Sequence, residues 1–165
     1  MTEHPFEAQI DEHEAVRAAV RQLDERYGLR SREAGVGKVS GLPKDALRNL
    51  RWQLFYLLEG VTGHFLRDEA VVFPQVKPAT GKPLEAEHEA IRKEAESALA
   101  LITRMTEVPG TPEEAARDSG ELGRMIHRLR ELIETHTARE DAILRQALKD
   151  GRTASAPKGT EFQVH

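Results

Sequence analysis

Four stretches of this chain repeat their apolar residues every three or four positions, the spacing of an amphipathic helix. The first runs from about Pro5 to Tyr27 with Phe6, Ile10, Val16, Val20 and Leu23 on one face, and Gly28 is its expected stop. A polar connection, LRSREAGVGKVSGL, follows without a strand pattern. The second helix is expected from Pro43 to about Phe73, ahead of Pro74, with a stripe of Leu47, Leu50, Leu54, Leu57, Val61, Val71 and Val72. Gly60 and Gly63 interrupt it; each weakens an isolated helix but permits a close helix–helix approach. After the loop PQVKPATGKP, the third helix is expected from around Pro83 to near Glu107. The fourth opens with Thr111 as N-cap, Pro112 in the first turn and Glu114 closing a capping box, and it runs to about Lys149 with Gly151 as its stop. The pattern predicts an all-α, up-down-up-down four-helix bundle over residues 1–150 and a disordered tail over 151–165.

The helices repeat in pairs. EHEAVR at Glu12–Arg17 recurs as EHEAIR at Glu87–Arg92, 75 residues on, and HFLRDEAVV at His64–Val72 recurs as HTAREDAIL at His136–Leu144, 72 residues on. Two helix hairpins related by an approximate two-fold axis are implied. The repeat keeps His13 with His88, His64 with His136, and Asp68 with Glu140. Residues four apart on a helix lie about 40° from each other, so His64 shares a face with Asp68 and His136 with Glu140. His13 is in phase with Ile10, Val16 and Val20, and His88 with Leu84, Ile91 and Ala95. All four imidazoles and both carboxylates should therefore turn inward, close to one level of the bundle.

Composition narrows the chemistry. Charged residues make up 32% and aromatics 5%, which favours long helices over sheet. A formal charge of −4 gives no reason to expect a nucleic-acid or anionic-membrane partner. With no Cys, disulfides and thiolate metal sites on this chain are excluded. The N-terminus is acidic without an apolar core, and no stretch is apolar for long enough to span a bilayer, so a cytoplasmic protein is expected.

Six ionisable groups inside a bundle cost several kcal/mol each unless they are paired or ligated, on the order of the known desolvation penalties. Imidazole and carboxylate without thiolate suit Fe, Mn or Zn. The carboxylates of the second and fourth helices face each other across the bundle, where ligands bridging two metals would stand, and the two-fold repeat gives each metal two His. A single His–carboxylate pair on a helix is more often an ordinary hydrogen bond, but two such pairs plus two in-phase His are hard to obtain by accident. His4 and His165 fall in expected frayed termini, and His127 should face solvent. Glu69 and Asp141, about 140° from the His five residues before them, read as surface or groove carboxylates, with direct ligation as the alternative. Arg17 and Arg92 read as salt bridges at the core's edge ahead of a role behind the metal ligands, and Tyr56 as a residue packed in the bundle.

This set, His13 alone on the first helix, then HFLRDEAVVFP, EHEAIR and HTAREDAIL, resembles the hemerythrin-like family of HHE cation-binding domains. The resemblance implies two non-haem Fe ions bridged by an oxo or hydroxo group and by two carboxylates. Carried over by position, His13, His64, His88 and His136 would be terminal ligands, Asp68 one bridge and Glu140 the other, with Asp141 as an alternative. Hemerythrins proper carry a further His four residues after the helix-3 His, and here that position is Arg92. The departure speaks against bulk oxygen transport. It leaves O2, NO or peroxide as the expected small-molecule partner, in sensing, detoxification or a redox role, with the redox partner unspecified. An iron or zinc store without gas chemistry, and a metal-free helical interaction protein, are the alternatives.

Overall fold

The structure, a computed structural model, describes residues 4–35, 42–76 and 78–153, and among them there is helix and no strand. Helix α1 (Pro5–Leu23) starts at His4, whose Nδ1 accepts the Phe6 N–H at 3.1 Å. That residue, expected in a frayed end, is thus the helix cap. The chain passes through a widened turn, Asp24–Gly28, into a short helix α2 (Leu29–Gly35). Helix α3 (Lys44–Arg67) likewise ends in a widened turn, Asp68–Val72, and a 3₁₀ turn, Phe73–Gln75. Helices α4 (Pro78–Glu107) and α5 (Pro112–Thr153) complete the bundle. Thr111 caps α5 as expected, its Oγ1 accepting the Glu114 N–H at 3.1 Å.

Three expected boundaries move. Gly28 does not end the first helix; α4 begins at Pro78 rather than near Pro83, which sits inside it; and α5 runs through Gly151 to Thr153. The expected tail from residue 154 onward lies outside the described residues. At Gly28 the reason is packing. A Cβ there would strike the Asp24 carboxylate and approach Ile126 to 3.1 Å, while a Cβ on Gly123 of α5 would lie 2.5 Å from Arg32 N and 2.7 Å from Gly28 O. The two glycines let the end of the first helix lie directly on α5, so the missing side chain serves close approach and not a left-handed stop.

Each long helix packs on two others: α1 on α3 and α5, α4 on α3 and α5. Each long helix thus packs on the long helices next to it in the chain, and α1 on α5, as in an up-down-up-down bundle. α2 lies along α5. The core divides into two apolar clusters. The larger, from Val20, Leu23 and Leu50 to Ile102, Leu122 and Ile133, fills one end and reaches Val61, Phe65 and Ile91. The smaller, Phe6, Val72, Phe73, Leu84 and Leu144, closes the other. Two expected core residues stand outside: Tyr56 is 66% exposed and Val71 48%. No helix is long and apolar enough to cross a membrane among the described residues.

Candidate metal centre

Between the two apolar clusters lies a layer of ionisable side chains. His13 of α1, His64 of α3, Asp68 at the start of the widened turn, His88 of α4, and His136 and Glu140 of α5 are all between 0 and 3% exposed. They form two groups, His13/His64/Asp68/Glu140 and Asp68/His88/His136/Glu140, in each of which one donor atom per residue lies within 4.8 Å of the others. Asp68 and Glu140 belong to both. The Nε2 atoms of His13 and His136 lie 3.3 and 3.1 Å from Glu140 Oε2, and those of His64 and His88 each 3.4 Å from Asp68 Oδ2. The structure thus brings together all six residues singled out in the sequence. His127 stands apart, 45% exposed and held by Asp24 and Glu131.

Each imidazole turns its other nitrogen outward to a carboxylate from a neighbouring helix. His13 Nδ1 meets Asp141 Oδ1 at 2.5 Å, His64 Nδ1 meets Glu12 Oε2 at 2.7 Å, and His88 Nδ1 and His136 Nδ1 meet Glu69 Oε1 and Glu87 Oε1, each at 3.0 Å. Each carboxylate is in turn held by an arginine from the same helix as the histidine. Arg17 donates to Asp141 at 3.0 Å, Arg67 to Glu12 at 2.7 Å, Arg92 to Glu69 at 3.2 Å, and Arg139 to Glu87. An arginine-held carboxylate at each Nδ1 favours the tautomer with its hydrogen on that nitrogen, the one that would leave the Nε2 lone pairs facing the centre.

Asp141 is therefore neither a surface carboxylate nor a member of either inward group; it is 3% exposed and bonds His13. Glu69 takes the equivalent place on His88, and Arg17 and Arg92 stand behind the two acids. Sequence reasoning passed over Glu12, Glu87, Arg67, Arg139 and Gln9. The signal for the first four was present: they recur with the histidines in the two repeated segments. Gln9, 5% exposed, has no repeat partner and donates from Nε2 to Asp68 Oδ1.

The donor set fits a pair of cations. His13 Nε2, His64 Nε2, Asp68 Oδ2 and both carboxylate oxygens of Glu140 are buried without a hydrogen bond, a condition worth about 1–3 kcal/mol per neutral group. His88 Nε2 and His136 Nε2 approach to 3.1 Å; with the hydrogens of both rings on Nδ1 their lone pairs would face each other, an arrangement that a cation between them relieves. Burial pushes the Asp68 carboxyl up, against the pull of the nearby His88 imidazole, and the Glu140 charge adds to the rise. Burial acts the same way on Glu140, but the His13 and His136 imidazoles and Asp68 close to it outweigh burial and hold that carboxyl far below its usual range. Two adjacent carboxylates pushed apart in this way cannot both keep their charge comfortably without a cation. For His13, burial lowers the pKa, and the bonds and charges of Glu140 and Asp141 raise it above the usual value overall.

Residues 4–148 match the Hemerythrin HHE cation binding domain. The chain belongs to this family. No curated protein and no solved structure matches it significantly. Membership of a cation-binding family, together with two buried His/Asp/Glu groups that could hold a metal, makes the polar layer the candidate cation site of this hemerythrin-like chain. Rings wall it off from solvent: Phe65 stacks on His88 at 3.7 Å between centroids, and Phe73 lies 5.3 Å from the same ring.

Proposed function

We propose that this protein holds two non-haem iron ions and that its centre binds or reacts with O2, NO or peroxide. The observation that carries the reading is the sharing of Asp68 and Glu140 between two groups that each add two imidazoles. Two such groups supply equal donors to two metals, and shared carboxylates hold the metals close together. His13 and His64 would hold one ion, His88 and His136 the other, with Asp68 and Glu140 between them. Iron bound there would supply the electrons for a small oxidising ligand. The chain contributes the rest. The four outer carboxylates keep the imidazole lone pairs inward, Gln9 steadies Asp68, and Phe65 and Phe73 keep the layer dry. Site residues 0–3% exposed between two apolar clusters favour a diatomic or similarly small ligand over a bulky substrate.

The test is anaerobic loading of the full chain with ferrous iron, removal of the excess, and metal analysis. Two irons per chain, followed by a visible absorption change on adding O2, NO or peroxide, is the expected result. Two metals with no spectral response to any of the three would make the protein a metal store. Fewer than two would overturn the shared-carboxylate reading.

A further inference from the structure

Of the one Trp, two Tyr and five Phe in the chain, three stand together on the outside of α3. Trp52, Phe55 and Tyr56 are 60, 42 and 66% exposed. Their ring centroids lie 6.4 Å (Trp52–Phe55), 6.0 Å (Trp52–Tyr56) and 6.1 Å (Phe55–Tyr56) apart. Monomeric soluble proteins rarely leave such a patch uncovered, and Trp and Tyr are the residues that interfaces concentrate. Beside it runs a groove of about 410 Å³ between α1 and α3, floored by Val16, Leu57 and Val61 and edged by Tyr56 and Gly60.

Among the described residues, nothing packs closely enough on Gly60 or Gly63 to require a glycine. A Cβ on Gly60 would meet nothing within 4 Å, and one on Gly63 only the end of Arg67 at 3.9 Å. Each glycine inside a helix costs about 0.8–1 kcal/mol relative to alanine. Elsewhere in this chain the glycines at 28 and 123 repay that cost by letting helices touch, but at 60 and 63 no other described helix comes within 4 Å of where a Cβ would stand.

We propose that this face is the contact between two copies of the chain, with α3 packing antiparallel on its counterpart about a two-fold axis at Tyr56. The face is self-complementary about that residue. At about 100° per residue, Asp45, Trp52, Gly60, Gly63 and Arg67 all lie within about 40° of the Tyr56 direction. Asp45 is eleven residues before Tyr56 and Arg67 eleven after, so in an antiparallel pair each Asp45 comes level with the other copy's Arg67. Asp45 is 96% exposed in its side chain and Arg67 57%; Arg67 already donates to Glu12, and its guanidinium has further donors to offer. Trp52 is four residues before Tyr56 and Gly60 four after, so each indole comes level with the other copy's Gly60 and the groove it edges. An isologous contact needs every feature to find its complement on an identical surface, and here both the charge and the bulk do so. A partner of a different sequence would not require this symmetry.

The absence of Cys makes the test clean. In a Tyr56→Cys chain the two thiols meet at the axis, so mild oxidation should convert it to a covalent dimer. An Ala115→Cys control, exposed on α5, should stay single under the same conditions. Sedimentation of the wild-type chain should show a concentration-dependent monomer–dimer equilibrium. Trp52→Ala combined with Gly60→Arg should weaken it by roughly tenfold or more with an unchanged helical spectrum and melting profile. A wild-type chain that stays monomeric throughout the micromolar range, because its own tail or another partner covers the face, would overturn the proposal. So would equal cross-linking of the two cysteine variants, or a double variant that dimerises as tightly as the wild type.

Discussion

Arg92 lies four residues after His88, where its guanidinium could have been a fifth imidazole. Its Nη2 instead donates to Glu69 at 3.2 Å, and Glu69 receives the His88 Nδ1 hydrogen. The residue thus acts on the centre through its neighbour, holding the carboxylate that orients the ring. Arg92→Gln should leave the fold intact and weaken metal retention by about 10–100-fold, the usual effect of losing a group behind a metal ligand. Competition against a chromophoric chelator reads this directly. Arg92→Lys should restore only part, since an ammonium is a point charge and not a planar fork. Equal retention in all three chains would show that Arg92 is only a surface ion pair. Lying about 140° from the histidine of their own helix, Glu69 and Asp141 read from the sequence as surface or groove carboxylates. That angle aims them at the next helix, where His13 and His88 stand, and spacing along one helix carries no information about its neighbour.

At the level of elements, the junction of α1, α2 and α5 depends on two glycines and one buried acid. Gly123→Ala would place a methyl 2.5 Å from Arg32 N and 2.7 Å from Gly28 O. Backbone cannot yield as a side chain tip does, so a loss of about 1–3 kcal/mol is expected, measured as a lower midpoint in urea. Asp24, 3% exposed, accepts from Arg32 at 2.8 Å, His127 at 3.0 Å and Arg130 at 3.2 Å. Burial alone would raise its pKa, but the bonds from His127 and Arg32 prevail and lower it below the usual carboxylate range. A carboxyl whose pKa is lower folded than unfolded contributes stability that is complete above the unfolded value and vanishes as pH falls through the folded one. Asp24→Asn should therefore destabilise the chain at neutral pH, and the gap to wild type should close progressively below about pH 4. Thermal melts of both chains across that range check it; a gap that does not change with pH would mean that packing, not charge, is lost.

Across the whole molecule, an ionisable layer divides the core into two apolar clusters. Without a cation this layer is a liability, with five buried donor or acceptor atoms lacking hydrogen bonds. Metal that binds the folded chain and not the unfolded one should raise stability by about 2.7 kcal/mol at a hundredfold excess over its Kd. For a chain of this size that amounts to roughly 5–10 °C in melting temperature. Calorimetry with ferrous iron or zinc, then with a chelator, reads the gain and its reversal. A melting temperature indifferent to both would mean that the layer fixes helix register and nothing more.

The sequence by itself determined the four long helices, though not α2, which lies in the expected connection, and the inward direction of His13, His64, Asp68, His88, His136 and Glu140. Both are local properties: three-to-four spacing places a residue in phase with its own helix's apolar face, and the two-helix repeat marks which polar residues recur there. The tertiary structure decided where helices stop and which groups meet. Gly28 looks like a stop from its neighbours in the chain, yet α5 lies against it and the helix continues. Tyr56, two turns before His64, is expected to pack in the bundle, yet no neighbouring element covers it and it is 66% exposed. The pairing of Asp141, Glu12, Glu69 and Glu87 with their imidazoles depends on the axial register between helices, a property of packing that no single helix encodes.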